Sequence, residues 1–327
     1  METCSPYRIQ SIFGGGIDRH LMMMMMMMKT GAEFGNKAAG YNEPTHLPHN
    51  EMQRRQWQAA NKAWWQSTPM RYDWREKITE TPGSEEYFRE IDGRFLASVR
   101  KYMPWKNVPF EQLIPFDQLR DKDVLEIGVG HGTHAQLITT HCRSFTGIDL
   151  TAYAAEITCK RFRLFKLPGN VLQMDAEEMG FPNSSFDFIW SWGVIHHSAD
   201  TPRVLKEMHR VLRPNGKCVV MVYHQSWWSS LVGLFKGVLQ GELRRRGSLH
   251  TDGAIARCYT PQEWQATTEH LFNINSIQIY GLKTDVIPLP HGRLKSLVEA
   301  IVPDALTRFF TNRLDMGSFL VAQMRKK

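Results

Sequence analysis

A glycine-rich segment at residues 124–134 is the part of the sequence whose residue types most directly suggest a binding site. It reads V-L-E-I-G-V-G-H-G-T-H, an apolar run followed by Gly128, Gly130 and Gly132. Glycines at this spacing let the backbone approach a ligand closely and expose amide groups at the start of a helix. Glu126 lies two residues before the first glycine. Because a carboxylate there disfavours phosphate, we expect a zwitterionic ligand that carries an ammonium group.

Two further carboxylates follow predicted strands at positions that suit a nucleoside. Asp149 comes 21 residues after Gly128, where nucleotide-binding folds place an acid that accepts both hydroxyls of an unsubstituted ribose. Asp175 ends the next predicted strand, and a side chain there can reach an adenine amino group. The segment from Ser191 to His197 follows the fourth predicted strand, and we expect it to line the floor of the same pocket.

A dinucleotide-binding loop is an alternative interpretation of the glycine-rich segment. That motif requires G-x-G-x-x-G, but Thr133 occupies the position of the third glycine. The motif would also hold a pyrophosphate, which Glu126 disfavours. An NAD-dependent dehydrogenase is therefore the less favoured reading of this loop.

Strands and helices alternate from Asp121 onward. Such alternation implies right-handed crossovers and a mostly parallel sheet covered by helices on both faces. The predicted strands are Val124–Ile127, Ser144–Asp149, Val171–Met174, Phe186–Trp190 and Lys217–Tyr223, and the helices between them are Thr133–Thr140, Ala152–Phe165 and Thr201–Leu212.

These residues resemble the class I S-adenosylmethionine-dependent methyltransferases, specifically the methyltransferase type 11 group that includes the ubiquinone and menaquinone C-methylases. The resemblance covers residues 121–223 and implies an α/β fold with a Rossmann-like seven-stranded sheet in the order 3-2-1-4-5-7-6, whose last strand is antiparallel. Its features, in order, are the glycine-rich motif with Glu126, Asp149, Asp175-Ala176, Phe186-Asp187, His196-His197 and Leu212-Arg213-Pro214-Asn215-Gly216.

The resemblance implies an enzyme that transfers a methyl group from S-adenosyl-L-methionine to an O, C or N atom of a small-molecule acceptor, lipid- or quinone-like acceptors included. In-line displacement at an activated methyl group mainly needs positioning, so a general base is required only if the acceptor loses a proton. His197, with His196 beside it, is the candidate for that role, and packing is the alternative. The implied cofactor-binding residues are Glu126, Gly128, Gly130, Gly132, Asp149, Leu150, Asp175, Ala176, Ser191 and Trp192.

Two other functions fit a cofactor site of this kind. The net charge of +7 suggests a nucleic-acid methyltransferase, but Ser191-Trp192-Gly193-Val194 replaces the expected Asn/Asp-Pro-Pro-aromatic motif and no long basic stripe is present. A non-catalytic cofactor-binding homologue is the third possibility. We therefore expect a small-molecule partner and no nucleic acid.

Neither a metal site nor a disulfide framework is expected. His131, His134 and His141 lack the H-E-x-x-H spacing, and no cysteine or carboxylate completes a ligand set. The five cysteines include no C-x-x-C pair, which favours a reduced, cytoplasmic chain that is at most peripheral to a membrane.

The N-terminal part of the chain predicts a leader and a helical cap. Residues 1–45 include the methionine run Met22–Met28, and we expect a disordered leader whose true start is either Met1 or near Met28. Residues 46–120 predict two helices, with Ser84 as the N-cap of the second. The helices are Asn50–Gln66, with Trp57, Ala60, Trp64 and Trp65 on one face, and Ser84–Tyr102, with Tyr87, Ile91, Phe95 and Val99 on one face.

The methyltransferase domain is predicted to span residues 121–327, with insertions at 224–258 and 285–313 that would help to select the acceptor. The first insertion contains a candidate amphipathic helix, Ser226–Arg246, which either contacts a membrane or covers the pocket. The remaining predicted elements are a helix capped by Thr260, helices Leu294–Ile301 and Asp304–Phe310, and strands Asn275–Tyr280 and Ser318–Met324.

Overall fold

The computed structural model describes residues 37–38, 41–42, 44, 46–73, 76–232, 255–289 and 292–327. The predicted leader, with its methionine run, lies almost wholly outside these residues. So does most of the predicted helix Ser226–Arg246, of which residues 227–232 are helical. A short antiparallel ladder pairs Lys37–Ala38 with Tyr41–Asn42.

An eight-stranded sheet forms the centre of the molecule, in the order β3-β2-β1-β4-β5-β8-β7, with β6 beside β5. Strands β1 to β5 are parallel, whereas β8 is antiparallel to both β5 and β7. Counted without the two-residue β6, the order is 3-2-1-4-5-7-6, which confirms the predicted fold. The strands are β1 (Asp123–Ile127), β2 (Ser144–Asp149), β3 (Asn170–Gln173), β4 (Phe186–Trp192), β5 (Leu212–His224), β6 (Cys258–Tyr259), β7 (Phe272–Tyr280) and β8 (Phe319–Lys326).

Helices cover both faces of this sheet and extend beyond its carboxyl edge. Short 3-10 turns occur at Phe116–Gln118 and Ile195–His197. The helices are α1 (Glu51–Ser67), α2 (Glu85–Tyr102), α3 (Thr133–Thr139), α4 (Ala152–Leu164), α5 (Thr201–Val211), α6 (Pro261–Thr268), α7 (Lys283–Val286), α8 (Arg293–Ile301) and α9 (Asp304–Arg313).

Side chains that alternate along each strand build two separate apolar layers. In β1, Val124 packs with Ala135 of α3 and Phe162 of α4, whereas Leu125 packs with Leu205 of α5 on the opposite face. This parity decides which strand residues face each layer of helices. It also decides which side chains face the candidate site.

The predicted elements agree with the structure to within one or two residues at most boundaries. Ser84 caps α2 as predicted, since its hydroxyl accepts a hydrogen bond from the amide of Tyr87. Strand β5 begins at Leu212 rather than Lys217, because Leu212, predicted as the last residue of a helix, pairs with Phe186 of β4, and the register shifts before Lys217 pairs with Phe188.

Helix α1 differs from prediction in the character of its buried face. Ala60 is exposed, whereas Arg54, Gln58 and Asn61 are buried together with Trp57. A polar stripe therefore docks this helix onto the sheet. The predicted face is wrong for Ala60, whereas Trp57 is buried on it. The polar side chains are buried beside Trp57 because they find partners in the loops after β3 and β4.

The buried carboxylate of Glu177 joins α1 to those loops. Its Oε2 forms a salt bridge with Arg54 of α1, and its Oε1 accepts hydrogen bonds from the Ser198 hydroxyl at 2.6 Å and the Asp200 amide at 3.0 Å. Arg203 of α5 donates to the Glu177 carbonyl at 3.0 Å. One side chain thus connects the two loops to the helix that covers them.

Gly128 follows β1 in a backbone conformation and a space that exclude a side chain. Its φ is +82°, and a Cβ atom built there would lie 2.2 Å from Cγ2 of Val194. The close approach seats the loop after β1 against the loop after β4. Gly130 also has a positive φ, +54°, but its Cβ would meet no atom within 4 Å.

Among the residues that the structure describes, no helix combines the length and the apolar character needed to cross a bilayer.

We expect Gly128→Ala to destabilise the protein more than Gly130→Ala. Both changes force alanine into a left-handed conformation, at about 1–2 kcal/mol, but only Gly128→Ala adds a steric clash, worth about 1–3 kcal/mol more. Urea unfolding of both variants measures the free energies of unfolding. Equal losses would contradict the packing of Gly128 against Val194.

We expect Glu177→Gln to lower the free energy of unfolding by about 1.5–3 kcal/mol, because it removes the buried one of the two carboxylates that pair with Arg54, the other being that of Glu51. The matched control is Glu178→Gln, whose side chain is 73% exposed and 3.7 Å from Arg203. That change should cost less than about 0.5 kcal/mol. Comparable losses in denaturant unfolding would refute a structural role for the buried pair.

Candidate active site

A cavity of about 1100 Å³ lies at the carboxyl ends of β1 to β4. The loops after these strands form its floor, and helices α1, α2, α8 and α9 form its walls. Its size exceeds what one small ligand needs, so it has room for a cofactor and an acceptor. The predicted residues that line it are Gly128, Gly130, Asp149, Leu150, Asp175, Ala176, Trp192 and His197.

The loop after β1 and the carboxylate of Asp149 hold each other in place. The Gly130 amide donates to Oδ2 of Asp149 at 3.2 Å, and the amide and hydroxyl of Thr151 both donate to Oδ1 at 2.9 Å. Burial raises the pKa of Asp149, against the effect of these hydrogen bonds. A carboxylate has about four lone-pair sites, so capacity remains for a ligand hydroxyl.

Glu126 and His134 place polar atoms without hydrogen-bond partners beside this loop. Glu126 ends β1 on the α3 face, and its Oε1 lies 3.7 Å from Nδ1 of His134. Oε2 of Glu126 and Nε2 of His134 are buried without a hydrogen bond in the described structure. Buried polar groups are nearly always paired, so a ligand group that donates or accepts hydrogen bonds fits here.

Burial also sets the protonation of this pair. It raises the pKa of Glu126 well above its usual range, an effect that the nearby Asp149 charge reinforces. It lowers the pKa of His134 to about 3. The imidazole is therefore neutral near pH 7, and a cation close to Glu126 would stabilise the ionised carboxylate.

Asp175 lines the same pocket and is fixed by two neighbours. Its Oδ1 accepts hydrogen bonds from Nε2 of Gln58 and from the Glu177 amide, both at 2.9 Å. Leu150 and Ala176 line the cavity beside it. The two loops that carry Asp149 and Asp175 therefore face one another across one pocket, as expected from parallel strands.

Trp192 reaches the cavity, but Ser191 does not. Trp190 and Trp192 lie on the α3 face, stacked with ring centroids 5.3 Å apart, and Trp192 lines the cavity. Ser191 points to the opposite face and is fully buried, with no hydrogen bond to its hydroxyl. The prediction that Ser191 contacts the cofactor is corrected on this ground: strand parity directs its side chain into the α5 layer.

The two consecutive histidines also separate. His197 lines the cavity, and its Nδ1 donates to the Ile255 carbonyl, which leaves Nε2 as the acceptor nitrogen of the neutral ring. Burial lowers the pKa of His197 to about 4. His196 is fully buried against Tyr223, with ring centroids 4.0 Å apart, so the structure does not bring it to the cavity and the acceptor-side prediction fails for it.

Two residues of α1 contribute to the site without having been predicted. Gln58 holds Asp175, and Nδ2 of Asn61 donates to the His197 carbonyl at 2.7 Å. Both line the cavity. The signal for them is the polar spacing Arg54, Gln58 and Asn61, which repeats at four and three residues along one helix face.

Helices and strand ends away from the glycine-rich loop line the rest of the cavity. Aromatic and apolar side chains come from Tyr72, α2, the ends of β5 and β8, and Leu282, and polar side chains come from α8 and α9. These residues include Tyr72, Phe95, Tyr102, Met221, Tyr223, Leu282, Phe319, Ser296, Glu299, Asp304 and Thr307. This mixed surface suits an acceptor that is largely apolar with a few polar groups.

The three histidines of the glycine-rich segment and α3 have separate environments. His131 contacts the hydroxyls of Tyr87 at 3.0 Å and Tyr153 at 3.3 Å, His134 faces Glu126, and His141 lies exposed beside Phe116. Across the described ranges, no three His, Cys, Asp or Glu side chains form a group that could hold a metal ion.

Comparison with known proteins finds similarity over part of the chain. Residues 125–220 match the family described as "Methyltransferase domain". Over 101 residues the chain is 39% identical to the phthiotriol/phenolphthiotriol dimycocerosates methyltransferase of Mycobacterium leprae (strain TN), which covers 30% of this chain and 36% of that protein. It is 32% identical over 97 residues to the 27-O-demethylrifamycin SV methyltransferase of Amycolatopsis mediterranei (strain S699). That match covers 29% of this chain and 36% of the relative.

Solved structures are similar at low sequence identity. The YcgJ protein of Bacillus subtilis covers 67% of this chain and 97% of its own at 20% identity, with a TM-score of 0.46. A SAM-dependent methyltransferase from Aquifex aeolicus matches 74% of this chain and 98% of its own chain at 12% identity, with the same TM-score of 0.46.

The matched stretch spans little more than a third of the curated relatives' length. Residues 125–220 include most of β1 and β5, the whole of β2 to β4 and every loop that carries the predicted cofactor residues. This part of the chain is therefore similar to a methyltransferase domain, and its strands belong to a sheet with the order 3-2-1-4-5-7-6.

Proposed function

We propose that the protein is an enzyme that transfers a methyl group from S-adenosyl-L-methionine to an O, C or N atom of a small-molecule acceptor. The observation that carries the proposal is one cavity whose lining combines groups that suit different parts of the cofactor with an apolar surface. The glycine loop, His134, Asp149, Asp175 and His197 line this cavity together with aromatic side chains. Glu126 is buried beside His134, and Oε2 of Glu126 and Nε2 of His134 have no hydrogen-bond partner in the described structure.

The residues present fit the proposed cofactor at each of its polar groups. Glu126 suits the ammonium group, Asp149 the ribose hydroxyls and Asp175 the adenine amino group. Gly130 leaves open space where any other residue would carry a Cβ. When bound, the cofactor supplies a methyl group on a sulfonium, which is already activated for displacement.

The chain's own contribution is to position and enclose. Helix α1 closes over the loops through Gln58 and Asn61, and the aromatic side chains of α2 exclude water from the chamber beyond. Enclosure and alignment together can lower a bimolecular barrier by about 7–11 kcal/mol at best. The acceptor chamber is built from α2, α8 and α9, so these segments would determine which molecule is methylated.

His197 is the proposed acceptor-side residue. Donation from Nδ1 to the Ile255 carbonyl fixes the ring and leaves Nε2 free of a proton, so this nitrogen can accept one from an acceptor hydroxyl. Its lowered pKa keeps the ring neutral across the physiological range. Protonation, and with it loss of the basic form, begins only as the pH falls toward about 4.

Cofactor binding should release a proton from Glu126. Its raised pKa keeps the carboxyl group partly protonated in the free protein, and an ammonium ion would lower that pKa. Calorimetric titration with S-adenosylmethionine at about pH 6, where an α-ammonium is fully charged, should give heats that depend on the ionisation enthalpy of the buffer.

Glu126→Gln should weaken binding about tenfold or more, by loss of a charge-assisted hydrogen bond, and should abolish the proton release. The control Asp121→Asn changes an acid that is 73% exposed and should leave both unchanged. A folded wild-type sample that binds neither S-adenosylmethionine nor S-adenosylhomocysteine would defeat the proposed function.

His197→Gln should reduce turnover about tenfold or more while leaving cofactor affinity intact, because His197 lies on the acceptor side. The wild-type rate should not fall between about pH 8 and pH 5 through this group, since its pKa is about 4. The exposed His141→Gln serves as control. Unchanged turnover in His197→Gln would exclude the catalytic role, and cofactor binding without turnover on any acceptor would favour a non-catalytic homologue.

A further inference from the structure

Exposed apolar side chains are concentrated in one part of the molecule. Eleven large hydrophobic residues are exposed among those that the structure describes, and seven of them belong to the region around α8 and α9. Five of the seven are more than half exposed, with Ile301 at 70%. The seven are Trp227, Leu294, Leu297, Ile301, Leu306, Phe309 and Leu314.

The two helices present these side chains as stripes. Leu294, Leu297 and Ile301 are spaced by three and then four residues along α8, and Leu306 and Phe309 lie three residues apart along α9. The inner surfaces of the same helices line the cavity. Each helix therefore separates the candidate acceptor chamber from an apolar outer surface.

Specific contacts hold this surface in place. Nζ of Lys283 bridges the two helices, since it lies 2.8 Å from the Glu299 carbonyl of α8 and 2.9 Å from Oδ1 of Asp304 in α9. Nε1 of Trp227 donates to the Leu314 carbonyl at 2.8 Å. The exposed stripes are thus parts of a built structure, joined to the start of the first insertion.

Two arginines lie at the ends of the stripes: Arg293 and Arg313 are exposed at the start of α8 and the end of α9. The acids of both helices have cationic partners. Glu299 is 16% exposed and lies 4.0 Å from Nζ of Lys295, and Asp304 is 39% exposed and pairs with Lys283. Asp315, next to Leu314, is an exposed carboxylate beside this surface.

We propose that the outer faces of α8 and α9, together with Trp227 and Leu314, dock onto a lipid bilayer that contains anionic lipids. Apolar side chains fringed by arginines, with an interfacial tryptophan, match the chemistry of a headgroup region. A second copy of the chain is the less favourable occupant, because a symmetric contact would bring the same cationic fringe against itself.

Helix α8 lies between the proposed docking surface and the candidate acceptor chamber. A molecule that leaves the bilayer beside α8 has only the thickness of that helix to pass before it reaches the chamber lined by Ser296 and Glu299. Delivery of an apolar acceptor by this route rests on the proposed function. Membrane docking itself does not, because it depends on the outer surface alone.

The test is co-sedimentation of the full chain with vesicles of phosphatidylcholine alone or mixed with phosphatidylglycerol. The wild-type protein should pellet with the anionic vesicles at low salt and be released by salt. Leu297→Ser/Phe309→Ser should lower the partition coefficient about tenfold or more, because two apolar side chains no longer enter the bilayer. Arg293→Glu/Arg313→Glu should abolish the preference for anionic vesicles.

The matched control is Met52→Ser/Leu172→Ser, which removes two exposed apolar side chains elsewhere, on α1 and β3. It should bind vesicles as the wild type does. The docking proposal is overturned if the wild type does not pellet with anionic vesicles. It is equally overturned if Leu297→Ser/Phe309→Ser and the control Met52→Ser/Leu172→Ser lose the same amount of binding. It is also overturned if light scattering shows a dimer that Leu297→Ser/Phe309→Ser dissociates. Titration with S-adenosylmethionine tests the cofactor separately, so failure of docking and failure of the proposed function are distinguishable.

Discussion

The burial of one carboxylate, that of Glu177, is the constraint on which the arrangement of the site depends. A carboxylate that is 1% exposed must be fully partnered, because an unpaired buried charge costs several kcal/mol. Its partners come from α1 and from the loop after β4, and Arg203 of α5 binds its backbone carbonyl. These partners fix the position of α1, and α1 in turn orients Asp175 and His197 through Gln58 and Asn61.

The covering segments differ in how they attach to the sheet. Helix α2 packs through Phe88, Ile91 and Phe95, which are buried apolar residues, so its attachment depends on shape. Helix α1 attaches through polar contacts, which demand correct geometry but bury less apolar surface. The part of the cavity that α1 covers is therefore closed by specific polar contacts, whereas the part that α2 covers is shaped by apolar packing.

The alternation of strands with helices and the residues at the carboxyl ends of the strands could be predicted because periodicity and glycine spacing are local properties of the sequence, whereas the strand order came from the family resemblance. The misplacement of Ser191 and His196 has another origin: strand parity and the path of the 3-10 turn decide which side chain of a neighbouring pair faces the cavity. The partners of Gln58 and Asn61 could not be predicted either, since they lie more than a hundred residues away in sequence. The exposure of the outer surface of α8 and α9 was missed because apolar residues at helical spacing give the same sequence pattern whether they face a core or the solvent.

The stacked indoles of Trp190 and Trp192, nearly parallel at 5°, give the site an optical property. Trp192 lines the cavity floor, and Trp65 lines its wall beside His197. The fluorescence of an indole depends on the polarity and proximity of its surroundings, so an occupant of the cavity alters the emission of the protein itself. Screening of acceptors therefore needs neither a label nor turnover: the protein carries its own reporter at the place where an acceptor would bind.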